Sequence, residues 1–402
     1  MITELDHPQV PFTTDEIARL RADTPACERH IHFDNAGSSL MPDPVFEAVR
    51  NHLELEREFG GYTAAAKVAP LLAGFYDNLA ALLGAASSEI AYAESATRAW
   101  DMAFHSIAWT RGDRILTHSS EYGSNYLSFL HLARRSGVEI DFAPSNENDQ
   151  VDVDALAAAI TPRTKLIAIT HVPMHEGVIQ PVGDIGRIAR TAGVLFLLDA
   201  CQAVGQLAVN VKEIGCHILA GTGRKYLRGP RGTGFLYVSS DIGDQLKPPF
   251  VDMRAAKWTA PDSYELMPGA KRFEAFESSI ASRIGLATAA AYAHEIGMPR
   301  IEERIRRLAD QLRDVLGELD GIEVHDRGND RSGIVTFTKS GVAAVDMADR
   351  LEAAGITISI ARREQAWRGL GARGLDEVIR ASVHVFNTEN EISRFCDVVS
   401  SI

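Results

Sequence analysis

The sequence predicts an α/β protein built on a mostly parallel sheet, and three observations carry that reading. Several short runs are apolar almost throughout, as in Lys165–Thr170 and Val194–Asp199. Longer segments with helical spacing separate them, and glycines (Gly137, Gly193) follow two of these segments where a left-handed C-terminal residue is wanted. Strands with no polar face must be covered on both sides, which is the condition of a parallel sheet flanked by helices.

In order, Arg114–Thr117 reads as a strand after a Gly-Asp turn, and Tyr126–Ser136 as a helix stopped by Gly137. Val138–Phe142 is the next strand. Val153–Ile160 is a helix with Asp152 as its cap, and Lys165–Thr170 a strand. Ile185–Ala192 is a helix, followed by the strands Val194–Asp199 and Gly234–Val238. After about residue 280 the pattern changes. The helices Ser282–Ile296 and Arg300–Leu319 precede strands at Gly333–Phe337, Ile356–Ile360 and Ile379–Val385, and a last helix begins near Thr388. These segments suggest a smaller α/β domain of residues 281–402, joined by residues 1–24, in which Thr14-Asp15-Glu16 opens a short amphipathic helix. The large domain then spans 25–280. Lys247–Phe273, rich in proline, tryptophan and charge, reads as a loop that shapes the site.

Bulk properties fit a protein with ample core. The 402 residues are 46% hydrophobic and 24% charged, and the length allows about two or three domains. A net charge of −13 argues against a nucleic-acid partner. No run of roughly 18 apolar residues predicts a membrane span. The polar start Met1–Pro8 is unlike a secretory signal. The four cysteines, Cys27, Cys201, Cys216 and Cys396, form no Cys-x-x-Cys pair, so a reducing cytoplasm is expected and a zinc site is not.

The densest chemistry lies in Ala220–Gly234, around Lys225. Glycines, a threonine hydroxyl and Arg224 surround this lysine, and Asp199 ends an apolar strand 26 residues before it. A lysine, an anion cradle and an acidic group are what pyridoxal phosphate requires for its Schiff base, its phosphate and its ring nitrogen. In such sheets ligands gather at the carboxyl ends of strands, where Asp199 falls. Ala96 and Thr97 follow Ile90–Ala93 and open a helix expected to run from Arg98 to Trp109. Backbone N–H groups at a helix start bind phosphate, although Ser95 and Thr97 taken alone read as capping residues.

The ordered motifs Phe33-Asp34-Asn35-Ala36-Gly37, Ser95-Ala96-Thr97-Arg98, Glu121-Tyr122-Gly123-Ser124-Asn125, His171-Val172-Pro173, Asp199-Ala200-Cys201-Gln202, Thr222-Gly223-Arg224-Lys225 and Arg380-Ala381-Ser382 span nearly the whole chain. Together they resemble the class V aminotransferase family of fold-type I pyridoxal-phosphate enzymes, which includes cysteine desulfurases, epimerase-like proteins and ergothioneine-type carbon–sulfur lyases. The resemblance implies a large domain with a mostly parallel seven-stranded sheet and a homodimer with shared active sites. It also implies roles. Lys225 carries the Schiff base and moves the Cα proton. Asp199 pairs with the ring nitrogen, and Gln202 contacts the phenolic oxygen. Ala96, Thr97, Thr222 and Arg224 cradle the phosphate. Tyr122 stacks on the ring, where desulfurases have histidine; a core tyrosine is the competing reading. Arg380 takes the substrate carboxylate, a structural salt bridge being the alternative, and Asn35 and Ala36 lie beside the substrate. Ser278 or Ser279 reaches the partner's phosphate.

Two departures from desulfurases matter. The loop Ala361–Leu375 has no cysteine to carry a persulfide; its arginines (Arg362, Arg363, Arg368, Arg373) read either as a solvated turn or as a lid for an acidic substrate. Met174-His175 stands where desulfurases have Ser-Asn, which makes His175 either an acid–base group titrating near neutrality or a structural histidine. The reading that follows is a carbon–sulfur β-lyase acting on a cysteine-derived substrate. An aminotransferase comes second and an amino-acid epimerase third.

Overall fold

The computed structural model describes residues 11–402, so the expectation for Met1–Pro8 lies outside the described residues. The large sheet has seven strands, here β1 (Ile90–Ala93), β2 (Arg114–His118), β3 (Glu139–Ala143), β4 (Thr164–Thr170), β5 (Leu195–Asp199), β6 (Ile218–Thr222) and β7 (Gly234–Val238). Their spatial order is β1-β7-β6-β5-β4-β2-β3. All neighbours are parallel except those of β7, which runs antiparallel to β1 and β6. Strands β5, β6 and β7 are almost wholly buried, as their apolar composition requires.

The register sets up the site. Thr170 at the end of β4 lies opposite Asp199 at the end of β5, which lies opposite Ala220 in β6. The side chains that carry chemistry therefore leave from one edge of the sheet.

Helix Ile280–Ile296 packs on helices Asp43–Phe59 and Ala69–Leu83. Its buried Arg283 lies over the rings of Phe75, Tyr76 and Tyr92, 3.6 Å from the Glu274 carboxylate. Glu274 also accepts from Tyr76 and Arg254, which anchors the segment leading to Ser278. A four-stranded antiparallel sheet contains Ile322–Val324, Ile334–Lys339, Glu377–Ser382 and Ser359–Arg362 in that order. The early helix Thr14–Ala22 joins the C-terminal residues through Glu16–Arg300 and Arg21–Glu391 ion pairs of 2.9 and 2.7 Å.

Four expectations change. The helix expected to reach Trp109 is Ala96–Phe104; Trp109 instead donates its indole N–H back to the Phe104 carbonyl. The helix expected from Tyr126 starts at Gly123. Ile356–Ile360 divides into two short strands, Ile356–Thr357 pairing with Ile31–His32 and Ser359–Arg362 joining the four-stranded sheet. The expected loop Lys247–Phe273 contains a hairpin, Ala256–Ala260 with Ser263–Leu266. Its side chains are mostly exposed on both faces, so no apolar alternation marks it.

Candidate active site

A pocket at the carboxyl edge of the sheet is lined by Ala96, Thr97, Tyr122, Asp199, Gln202, Thr222, Arg224 and Lys225 together. Apart from Ser278, these are the residues that the family resemblance assigned to a cofactor. Met174, Thr170, Val172 and Cys201 complete the wall.

Lys225 follows β6 by three residues, and its amine makes no hydrogen bond among the described residues. Burial pushes its pKa below the usual lysine value; Arg224 and Arg380 act in the same direction, and Asp199 and Cys201 oppose it. The amine lies 6.0 Å from the Tyr122 ring centroid, at the outer limit of a cation–π contact.

Asp199 is buried and held on both oxygens. Oδ1 accepts from the Cys201 N–H at 2.9 Å, and Oδ2 from Asn125 Nδ2 at 2.7 Å. The same Asn125 amide donates to Glu121 Oε1 at 2.8 Å, and Glu121 Oε1 also accepts from the Thr170 hydroxyl at 2.5 Å and the Tyr122 N–H at 3.0 Å. Burial first, and then Asp199, raise the Glu121 carboxyl to about 7. Sequence reasoning gave Glu121 and Asn125 no role. Their four-residue spacing across the start of helix Gly123–Ser136 was the available signal.

The anion cradle is the start of helix Ala96–Phe104. Ser95 accepts from the Arg98 N–H at 3.2 Å, and the Ala96 and Thr97 N–H groups have no protein acceptor among the described residues. The start of β7 presses on this turn: a Cβ on Gly234 would lie 2.5 Å from the Ala96 nitrogen. Arg224 reaches the pocket while one guanidinium nitrogen donates to the Gly37 carbonyl. Gln202 donates to the Ala36 carbonyl at 3.0 Å and leaves Oε1 buried without a partner among the described residues. An unbonded lysine amine, an open helix start and an unpaired amide oxygen around one cavity fit pyridoxal phosphate.

Arg380 is buried in its strand. Nη2 donates to Asp34 Oδ1 at 3.1 Å and Nη1 to the Met174 carbonyl at 3.3 Å, while Nε has no partner among the described residues. The salt-bridge reading thus describes this geometry. Asn35 and Ala36, expected at the substrate, are committed inside the protein. The Asn35 amide nitrogen donates to the Ser382 carbonyl at 2.7 Å and its oxygen accepts from Ser39. The Ala36 N–H donates to the Ser382 hydroxyl, and its carbonyl receives Gln202.

His175 does not line the pocket; Met174 does. Burial, reinforced by Arg373, pushes the His175 pKa down to about 3, so it is neutral near pH 7 and the near-neutral acid–base role is corrected. The arginines of the loop 361–375, read as a solvated turn or as a lid for an acidic substrate, have partners within the protein. Arg362 and Arg363 face Glu377 and Asp376 at 3.9 and 2.5 Å, and Arg373 donates to the His325 carbonyl at 2.9 Å. Arg368 lies 3.9 Å over the Phe142 ring and donates to the Tyr126 hydroxyl at 3.0 Å. Ser278 is half-buried outside the pocket, just before Ser279 caps helix Ile280–Ile296. Cys201 does line the pocket, yet burial and Asp199 raise its thiol well above the usual value and keep it protonated.

Residues 31–395 match the aminotransferase class-V family. The chain belongs to that family. Its cofactor is pyridoxal 5′-phosphate, and its fold is the α/β fold of fold-type I enzymes. This class-V enzyme is 32% identical over 400 residues to a probable cysteine desulfurase of Xylella fastidiosa, covering 96% of this chain and 95% of that one. A probable cysteine desulfurase of Methanothermobacter thermautotrophicus is 29% identical over 389 residues, with 95% and 97% covered. The apo structure of a cysteine desulfurase from Thermococcus onnurineus NA1 superposes with a TM-score of 0.89 at 29% identity, over 96% of this chain and 97% of that one. The cystine C–S lyase C-DES, in complex with cysteine persulfide, shares the fold at a TM-score of 0.86 and 23% identity, with 94% and 99% covered. Among the described residues no helix is long and apolar enough to cross a membrane, and no group of three His, Cys, Asp or Glu side chains is placed to hold a metal ion.

Proposed function

We propose that this class-V enzyme is a carbon–sulfur β-lyase acting on a cysteine-derived thioether. Pyridoxal phosphate, when bound, supplies an electron sink for charge developing at the substrate Cα. The protein supplies the rest. Thr97, Ala96, Thr222 and Arg224 would hold the phosphate, and Asp199 would keep a proton on the ring nitrogen. Arg380 would take the α-carboxylate through its unpaired Nε, with Asp34 setting the guanidinium plane. Lys225, its proton affinity lowered by burial, would take the Cα proton as a neutral amine. Tyr122, half-buried at the pocket wall, would give a proton to the departing sulfur. Overall, one C–S bond breaks, one water is consumed, and the products are a thiol, pyruvate and ammonia.

The observation that carries this reading is that the loop 361–375 brings no thiol to the site, while the one cysteine in the pocket wall is held protonated against Asp199. A persulfide relay needs a thiolate. Without it, the sulfur leaves with its substituent. The test is to supply the purified, cofactor-loaded protein with S-substituted cysteines and follow pyruvate and free thiol in equal amounts. Release of neither, with conversion of the cofactor to its pyridoxamine form, would overturn the lyase in favour of an aminotransferase.

A further inference from the structure

A second cavity, of about 360 Å³, adjoins the Lys225 pocket and shares Tyr122 and Met174 with it. One wall is the face of helix Gly123–Ser136 that carries Tyr126, Leu127 and Leu130; the opposite wall is the loop carrying Ala366 and Trp367. Leu127 is 65% exposed and Trp367 64% exposed, an unusual pair of large apolar side chains to leave open beside a catalytic pocket. The two walls are held at a fixed spacing, because Gly123 meets the Gln365 carbonyl so closely that a Cβ would lie 2.7 Å from it.

The charge of the cavity is equally informative. Its one arginine, Arg368, is stacked on Phe142 and donates to the Tyr126 hydroxyl, two contacts that hold the guanidinium against the wall. Glu364 adds negative charge at the rim. A bare thiol or a hydroxyl would leave most of this volume unused, and a carboxylate would meet Glu121 and Glu364 against the single, already engaged guanidinium of Arg368. A neutral apolar group of some seven to ten heavy atoms suits both its size and its lining.

We infer that this cavity receives the sulfur substituent, and that the substrate class is an S-alkyl or S-aryl cysteine with a bulky, uncharged group. The inference rests on the β-lyase reading and adds the identity of the leaving thiol. Each methylene buried against Leu127 and Trp367 is expected to lower KM by roughly fourfold until the space is filled.

The experiment uses the cofactor-loaded full chain with cysteine, S-methyl-, S-propyl-, S-benzyl- and S-carboxymethyl-cysteine. Expected is a KM falling at least tenfold from S-methyl to S-benzyl, with S-carboxymethyl-cysteine poorest among the thioethers. Leu127→Arg should raise KM for the S-benzyl compound far more than for the S-methyl compound. In the Lys225→Ala chain, expected to bind substrate without turning it over, S-benzylcysteine should quench the fluorescence component that Trp367→Phe removes. Pyruvate from every thioether with equal KM, or a preference for the carboxymethyl compound, would overturn the inference while leaving the lyase intact. Absence of pyruvate from all five would overturn the lyase; Trp367 quenching would then still decide whether the cavity takes an apolar group.

Discussion

Glu121 and Asp199, two buried carboxylates, share a single amide: Asn125 gives one hydrogen to each, at 2.8 and 2.7 Å. The residue assigned to the ring nitrogen is thus oriented by a bridge whose far end is itself titratable. Burial and the Asp199 charge raise Glu121 from 4.5 to about 7. A carboxyl whose folded pKa lies above its unfolded value contributes stability that is fully present below the unfolded value and is lost as pH rises to the folded one. Thermal stability should therefore decline between pH 4.5 and 7, with Glu121 contributing on the order of 3 kcal/mol across that window. Glu176, also buried and raised to about 7, adds to the same slope, so the measurement is a difference. Melting curves of the native chain and Glu121→Gln should diverge as pH rises, the variant keeping the shallower slope. Equal slopes would show that Glu121 does not titrate there.

Lys225 should be the residue whose loss is least forgiving. Lys225→Ala removes the amine that makes no hydrogen bond in the pocket, so visible absorbance of the loaded protein should disappear and activity should fall at least 10³-fold. Asp199→Asn keeps the shape but places an amide beside the Cys201 N–H and Asn125 donors. It should retain the cofactor and lose about 10²- to 10⁴-fold in kcat, measured as pyruvate release. A variant with native kcat would remove Asp199 from the ring nitrogen.

Arg380 and Asp34 make a separable prediction. Arg380→Ala removes a buried guanidinium and leaves Asp34 without its 3.1 Å partner. KM for the amino-acid substrate should rise by roughly 30-fold or more, corresponding to the loss of a charge-assisted pair worth about 2 kcal/mol or more. Asp34→Asn keeps Arg380 and weakens its restraint, so it should lower stability more than it alters KM. Steady-state kinetics paired with melting temperatures distinguish the two; a KM effect of equal size in both would mean that Asp34 itself faces the substrate.

The sheet was legible because its strands had to be apolar on both faces, so Val194–Asp199 and Lys165–Thr170 announce themselves and place Asp199 at a strand end. Lys225, Thr222 and Arg224 were legible because a phosphate cradle and a Schiff-base lysine require unusual neighbours in sequence. Asn35 was misread because a motif gives composition, not the direction a side chain takes: its amide turns inward to Ser382 and Ser39. The acid–base reading of His175 falls because the loop at Gly369, nearly 200 residues away, packs on its ring, so closely that a Cβ there would lie 2.0 Å from Nε2. The arginines of residues 361–375 carry no sign of their partners in sequence: Asp376 and Glu377 lie just past the loop, whereas Arg368 rests on Phe142, far back in the chain. What sequence could not supply was the pairing of side chains across the fold.

Gly123 offers the last prediction, because it holds the catalytic helix and the loop in contact. A Cβ there would lie 2.7 Å from the Gln365 carbonyl, a backbone atom that cannot rotate away. Gly123→Ala must therefore push residues 363–367 outward or shift the helix start that positions Tyr122 and Asn125. Overpacking of this kind typically costs about 1–3 kcal/mol. Helix propensity works in the opposite direction, since alanine is favoured over glycine by roughly 1 kcal/mol within a helix, so a small net loss in stability is expected. The sharper readout is local: limited proteolysis should cut near Arg363 and Arg368 faster in the variant, while cleavage elsewhere is unchanged. A variant as resistant as the native chain, with an unaltered melting temperature, would mean that the loop accommodates the methyl group and that its position is not set by Gly123.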